Sequence, residues 1–123
     1  MVLCDTNIFI ELFWNNPVII NEIELIGSEN ICTSVVCVAE LYYGALHKKE
    51  LMEIQKDISK VNILQIEPAI SESALQLMQH YILSHKVSFS DFLIAATCLH
   101  HGLELYTLNK KDFRFIPAIK FYK

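Results

Sequence analysis

Short apolar runs alternate with longer helical segments along the whole chain, and this alternation restricts the possible folds more than any other feature. The runs are continuously hydrophobic, which is typical of strands buried on both faces of a sheet. A regular strand–helix order predicts a mainly parallel sheet with helices on both faces, a three-layer α/β/α sandwich. With 123 residues, the chain is expected to form a single domain over positions 1–123. The predicted strands cover 2–5, 30–33, 61–66, 103–108 and 119–122.

Capping residues and apolar spacing predict where the helices begin and end. Thr6 or Asn7 is a candidate cap for a first helix over 8–14, and Ser34 for a helix that reaches about Leu46. Ser88 is expected to begin a strongly apolar helix that ends near His101. Further helices are predicted at 17–26 and 48–60 and from residue 68 onward, with one helical turn at 110–113.

Hydrophobic residues make up 53% of the chain, and the mean hydropathy is +0.33. This is rich for so small a domain, and some apolar surface should remain for a second copy or a partner. The exposed candidates are Phe13, Trp14, Tyr42 and Tyr43, and a homodimer is expected. No apolar run has the length of a membrane span, and no secretory signal is visible. The cysteines lie in apolar runs without metal-binding spacing, which favours buried thiols and a cytoplasmic protein.

The charge balance excludes one class of nucleic-acid binder. Ten Lys and Arg against 14 Asp and Glu give a net charge of −4, whereas tight non-specific binding to phosphate backbones requires a basic surface. Without the four candidate site acids described below, ten basic and ten acidic residues remain. The whole excess of negative charge therefore belongs to those four residues. Lys110, Lys111 and Arg114 surround one of these acids, and they are either scattered surface charges or contacts for a substrate phosphate.

Four acidic residues occupy four separate segments that the predicted fold brings together. Asp5 ends the first strand, Glu40 lies in an apolar helix, Asp91 is in the first turn of another, and Asp112 follows the fourth strand. Ligands of parallel sheets bind at the carboxyl ends of the strands. Clustered carboxylates raise one another's pKa unless a cation neutralises them, and oxygen ligands favour Mg²⁺ or Mn²⁺. Such ions commonly serve phosphoryl chemistry.

Each of the four acids also has an ordinary structural explanation. Asp5 could cap the following helix, and Glu40 could be a solvated helix residue. Asp91 could complete a capping box with Ser88, and Asp112 could close a turn. Their joint position at one edge of the sheet is what favours a site.

Other catalytic chemistries lack their motifs. The sequence contains no nucleophile elbow, no phosphate-binding glycine loop and no paired Cys/His spacing for zinc. Adjacent His100 and His101 diverge by about 100° on a helix. They are therefore interpreted, with the other histidines, as surface or helix-end residues.

Four ordered motifs resemble the PIN-domain ribonucleases, in particular VapC-like toxins of toxin–antitoxin pairs. They are Asp5-Thr-Asn7, Ser34 to Gly44 around Glu40, Ser90-Asp91 to Ala96, and Thr107-Leu-Asn109-Lys-Lys-Asp112-Phe113. The resemblance implies an endoribonuclease that uses Mg²⁺ or Mn²⁺ on an α/β/α sandwich. It also implies a dimer, a cognate antitoxin that covers the acidic pocket, and tRNA or ribosomal RNA as substrate. The implied metal ligands are Asp5, Glu40, Asp91 and Asp112, with Asn7, Thr107 and Asn109 supporting the site.

Two functions other than a ribonuclease are also considered for this sequence. A catalytically silent PIN-like module could bind RNA or protein with the same fold, although the complete acidic set argues against it. A phospho-acceptor or phosphatase domain would need a second aspartate near Asp5, which the sequence Asp5-Thr-Asn7 lacks.

Overall fold

A four-stranded, fully parallel sheet forms the centre of the molecule, in a computed structural model that describes all 123 residues. The strand order is β3-β2-β1-β4, with β1 paired to β2 on one side and to β4 on the other. The strands are β1 (Val2–Cys4), β2 (Ile31–Ser34), β3 (Asn62–Leu64) and β4 (Glu104–Tyr106). Because the chain moves outward from β1 to β3 and then returns to the other side of β1, the direction of winding reverses between β1 and β4.

Six α-helices connect and cover the strands. They are α1 (Thr6–Phe13), α2 (Pro17–Ile26), α3 (Val35–Tyr43), α4 (Lys48–Ile58), α5 (Pro68–Tyr81) and α6 (Phe89–His101). Two 3₁₀ turns, Ser28–Asn30 and Lys110–Asp112, complete the regular structure. None of the helices is both long and apolar enough to cross a bilayer.

The sheet separates two hydrophobic cores, which confirms the predicted three-layer α/β/α sandwich. Leu3 packs into a core with α5 and α6, whereas its neighbours Val2 and Cys4 pack into a second core with α1, α2 and α4. Side chains of successive strand residues point to opposite faces, so both faces of β1 are buried. All four cysteines are buried and unpaired, as predicted.

Two predicted elements differ in the structure. Helix α1 begins at Thr6 and its N-cap is Asp5, not Thr6 or Asn7, because the Asp5 Oδ1 atom accepts a hydrogen bond from the Thr6 amide at 2.8 Å. The predicted fifth strand over 119–122 is reduced to one bridge between Leu105 and Phe121. Ala118, with a φ of 68°, turns the chain just before this segment and limits its pairing.

The expected apolar surface is largely present. Trp14 and Tyr43 are 79% and 94% exposed, and Tyr42 is also exposed, whereas Phe13 is half-buried. Large aromatic side chains left in water are typical of a surface that meets a partner.

Candidate metal centre and active site

The carboxyl ends of the strands gather the candidate site residues at one edge of the sheet. Asp5 follows β1, Thr107 follows β4, and Ser34 at the end of β2 begins the helix that carries Glu40. Asp5 and Thr107 therefore flank the place where the winding direction reverses, which is the usual ligand site of open parallel sheets.

Asp5 is the buried centre of the site. Its Oδ1 accepts from the Thr6 amide, and its Oδ2 accepts from the Thr107 hydroxyl at 2.8 Å. Burial raises the pKa of the Asp5 carboxyl, with a smaller contribution from the charge of Asp112, although both hydrogen bonds act in the opposite direction. The side chain is only 6% exposed, so its negative charge is costly unless a cation is near.

Asp91 lies in the first turn of α6. The Ser88 hydroxyl accepts a hydrogen bond from the Asp91 amide at 3.2 Å, so the predicted cap is present. Burial raises the pKa of Asp91 to about 6, and the charges of Asp5, Asp112 and Glu40 add to that rise. The negative charges of Asp5, Asp112 and Glu40 therefore all act on Asp91.

Glu40 reaches the site from α3. Its Oε1 accepts from the Thr6 hydroxyl at 2.9 Å, and a carboxylate oxygen of Glu40 lies within 4.8 Å of one from Asp5. Glu40 is exposed on its helix, which agrees with its alternative interpretation as a solvated helix residue, but its carboxylate points to the site. Asp112 lies in the 3₁₀ turn after β4 and is half-buried.

A small polar network fixes the loop after β4. The Thr107 hydroxyl accepts from the Asn109 amide at 3.1 Å and from the Asn7 side chain at 3.4 Å. The side-chain oxygen Oδ1 of Asn7 in turn accepts a hydrogen bond from the Leu108 amide at 3.1 Å. This network connects α1 to the loop that carries Asp112, so the predicted supporting residues Asn7, Thr107 and Asn109 are all adjacent to the acids.

The basic residues near Asp112 have different placements. The Lys110 ammonium lies 5.6 Å from the centre of the Phe121 ring, a cation–π contact with the C-terminal segment. Arg114 is exposed one residue after Phe113, and its side chain has no ion-pair partner.

Two residues of the site were not predicted from the sequence. Thr6 was interpreted only as a helix cap, although its hydroxyl holds Glu40. Cys37 is one α3 turn before Glu40, and its thiol lies 3.9 Å from Asp5 Oδ1. The signal for Cys37 was its helical spacing from Glu40, which places both residues on the side of α3 that faces β1.

The donor set fits a hard divalent cation better than a soft one. Burial raises the pKa of the Cys37 thiol to about 12, so it stays protonated and donates to Asp5 instead of binding metal as a thiolate. The remaining donors are carboxylate oxygens, which suit Mg²⁺ and Mn²⁺.

Comparison with known proteins identifies the family. Residues 2–118 of the chain match the PIN domain. The chain belongs to the PIN domain family. Relatives of this PIN domain include the tRNA(fMet)-specific endonuclease VapC of Shigella flexneri, 25% identical over 96% of this chain and 93% of that protein. Ribonuclease VapC10 of Mycobacterium tuberculosis is 31% identical over 73% of this chain and 68% of its own length.

Solved structures show the same fold. A toxin–antitoxin complex from Klebsiella pneumoniae contains a chain that superposes with a TM-score of 0.82 at 32% identity, covering 97% of this chain and 95% of that chain. VapBC-1 from nontypeable Haemophilus influenzae superposes with a TM-score of 0.82 at 26% identity, with 98% and 96% coverage. The PIN domain described here is therefore VapC-like.

Proposed function

We propose that this PIN domain is a Mg²⁺- or Mn²⁺-dependent endoribonuclease and the toxin of a toxin–antitoxin pair. The observation that carries the proposal is the pairing of the buried Asp5 with Glu40, whose carboxylate oxygens lie within 4.8 Å of each other. Burial and the charges of Asp5, Asp112 and Glu40 raise the pKa of Asp91, which supports its place in the same site. The ribonucleases and endonucleases named among its relatives support the same chemistry. We propose tRNA or ribosomal RNA as the substrate class, and tRNA is the substrate named for the Shigella relative.

The four carboxylates contribute to the proposed cation site in two ways. Asp5 and Asp91 are the proposed direct ligands, since burial and neighbouring charge give both the strongest need for a counter-charge. Glu40 and Asp112 would bind directly or through water, because Mg²⁺ retains several waters. When bound, the cation supplies Lewis acidity that polarises the scissile phosphate and favours attack by water.

The chain's own residues keep the ligands in place. The Thr6 amide and the Thr107 hydroxyl each hold one oxygen of Asp5, and the Thr6 hydroxyl holds one oxygen of Glu40. These bonds fix the orientation of both carboxylates and leave further lone pairs for a cation. Asn7 and Asn109 fix the loop through Thr107. Lys110 and Arg114 are proposed contacts for phosphates on either side of the cut, because both follow the site loop and are exposed.

Cleavage of total bacterial RNA, with the new ends mapped by sequencing, tests the proposed function. We expect the purified chain to cut at defined positions with Mg²⁺ or Mn²⁺ and to stop in EDTA. Asp91→Asn should reduce the rate at least about 100-fold, comparable to losing one major electrostatic contribution. Glu72→Gln, an exposed change on α5, is the matched control and should cut like the wild type. Equal cutting by Asp91→Asn and Glu72→Gln would reject the assignment, and no cutting by a folded wild type would favour a silent binding module.

A groove beside the acidic site fits the proposed antitoxin. It has a volume of about 610 Å³ between α1, α3 and α4, with Trp14 and Leu46 among its apolar lining and Glu50, Glu53 and Asp57 among its acidic lining. Such a surface is complementary to a segment with apolar anchors and basic residues. Glu40 also lines the groove, so a bound segment would reach the catalytic acids. The toxin–antitoxin complexes among the structural neighbours support a partner of this kind.

Charge reversal tests the groove. Glu53→Lys should weaken binding of the antitoxin encoded next to this chain at least about tenfold, because the lysine repels its basic residues. Glu72→Lys on α5, outside the groove, is the control. Equal affinity of the two variants would assign the antitoxin to another surface. We also propose that the protein is cytoplasmic and forms a homodimer, and light scattering of the purified chain tests the dimer by its mass.

A further inference from the structure

A second cluster of metal-ligating side chains lies at the far end of α6 from the acidic site. It consists of Glu67, His100 and His101, whose ligand atoms all lie within 4.8 Å of one another. Asp91 and His101 are ten residues apart on the same helix, which separates the two clusters by about 15 Å along its axis. The cluster is therefore distinct from the candidate active site and does not depend on RNA cleavage.

We propose that Glu67, His100 and His101 form a binding site for Zn²⁺ or a similar borderline transition-metal ion. Two imidazoles and one carboxylate are a common protein ligand set for zinc, which leaves the fourth position to water. Imidazole nitrogen is a poor ligand for Mg²⁺, so the two clusters would select different metals.

The geometry of the three ligand atoms is close to what such an ion needs. Glu67 Oε2 lies 2.9 Å from His100 Nε2 and 3.9 Å from His101 Nε2. In a tetrahedral zinc site with bonds of 2.0–2.1 Å, neighbouring ligand atoms are about 3.3 Å apart. The two observed distances lie on either side of that separation, so small rotations of the side chains suffice. A bound metal ion would replace the direct contact between His100 and Glu67.

The fold holds the three residues together, and the Glu67 carboxylate has no ion-pair partner besides the two histidines. Glu67 precedes α5 as its N-cap residue, but its side chain makes no capping hydrogen bond, and no lysine or arginine pairs with it. Pro68 begins α5 and restricts the backbone beside Glu67. Ile70 of α5 and Cys98 of α6 lie in the same core, which fixes one helix against the other.

The electrostatic setting also favours a cation. His100 and His101 form the last turn of α6, where the negative end of the helix dipole lies. Gly102, in a left-handed conformation, ends the helix directly after them. The three side chains are 38%, 32% and 54% exposed for His100, His101 and Glu67, so an ion reaches them from solvent. Bound metal would join the start of α5 to the end of α6.

Zinc titration of the intact chain tests the proposal, with millimolar Mg²⁺ present to occupy the acidic site. We expect the wild type to bind one Zn²⁺ per chain, measured by calorimetry or by competition with a zinc-sensitive dye. His100→Ala, His101→Ala and Glu67→Gln should each weaken this binding about tenfold or more, as expected for removal of one ligand. His80→Ala and Glu72→Gln, exposed changes on α5, are the matched controls and should bind like the wild type.

Two results would overturn the site. In one, His100→Ala or His101→Ala binds zinc as tightly as His80→Ala. In the other, zinc binding disappears in Asp91→Asn but survives in His101→Ala, which would assign the ion to the acidic cluster. Circular dichroism of each variant without metal shows whether it is folded, and histidine ring signals in NMR spectra report the ligands independently of any activity.

Discussion

Protonation of Asp91 is linked to the stability of the fold. Its pKa is raised to about 6 in the folded chain, against about 3.9 in an unfolded one. A raised pKa means that the folded state holds the proton more tightly. The stabilisation by protonated Asp91 is therefore complete below about pH 4 and is lost as the pH rises through about 6.

Replacing Asp91 with the uncharged asparagine should therefore stabilise the metal-free protein at neutral pH. The full shift corresponds to about 3 kcal/mol, and solvent screening of this half-exposed side chain reduces the expected gain in unfolding free energy to about 1 kcal/mol. Urea unfolding in EDTA at pH 7 and pH 4 measures it. The gain should disappear at pH 4, and equal stability of wild type and Asp91→Asn at pH 7 would contradict the electrostatic coupling.

Thr107 should matter through its hydroxyl and not through its size. Thr107→Val leaves the buried Asp5 Oδ2 without its 2.8 Å hydrogen bond, and we expect a loss of about 1–3 kcal/mol in unfolding free energy. Thr107→Ser keeps the hydroxyl and should lose much less. Thermal unfolding of the two variants compares them directly, and similar stabilities would show that the hydroxyl network is unimportant.

Residues with a single chemical role were easier to predict from the sequence than residues with two roles. The sequence singled out the four acids because carboxylates in apolar surroundings are unusual, whereas the supporting residues came from the resemblance to PIN domains. It did not show that Asp5 both caps α1 and belongs to the acid cluster, because either role explains its position after β1. His100 and His101 were interpreted as surface or helix-end residues, and the sequence did not bring Glu67 near them because the three residues meet only through the packing of α5 on α6.

Two glycines at helix ends differ in backbone conformation, and we expect their replacement by alanine to have different effects on stability. Gly102 ends α6 with a φ of 65°, whereas Gly44 ends α3 with an ordinary φ of −79°. Gly102→Ala should cost about 1 kcal/mol of unfolding free energy from the left-handed backbone alone, because nothing lies within 4 Å of the added Cβ. Gly44→Ala should be neutral or stabilise by up to about 1 kcal/mol. Chemical denaturation of both variants decides, and an equal cost at both positions would contradict the backbone explanation.

Element boundaries followed the sequence where a local signal was decisive. Ser34 and Ser88 cap α3 and α6 as predicted, since their hydroxyls accept from the backbone of the first helical turn. The fifth strand was not predictable from its apolar pattern, because its pairing depends on the backbone turn at Ala118. Helix α3 ends at Tyr43, before the predicted Leu46, with Gly44 as its C-cap residue.

The whole molecule should gain stability from the divalent cation. A ligand that binds only the folded state at 100 times its dissociation constant adds about 2.7 kcal/mol to the unfolding free energy. We therefore expect the melting temperature to rise as Mg²⁺ or Mn²⁺ is added to the wild type, and to rise much less for Asp5→Asn. Differential scanning fluorimetry measures the shift, and a melting temperature indifferent to both ions would argue against the metal centre.

The topology explains why acids so distant in sequence meet. Strand β1 lies between β2 and β4, and its carboxyl end therefore lies beside the ends of both neighbours. This arrangement follows from the strand–helix alternation, which the sequence shows, and from the strand order, which it does not. Asp5 and Thr107 lie at the predicted edge of the sheet because all four strands are parallel, and parallel strands place their carboxyl ends at one edge in any order.

Titration with Mn²⁺, followed by the loss of the free-ion signal in electron paramagnetic resonance, measures whether the carboxylates bind a shared cation. We expect the wild type to bind Mn²⁺ and Mg²⁺ to displace it. Asp5→Asn and Asp91→Asn should each weaken binding by at least about tenfold, while Glu72→Gln binds like the wild type. Undiminished binding in both aspartate variants, or none in the folded wild type, would contradict a cation shared by these carboxylates.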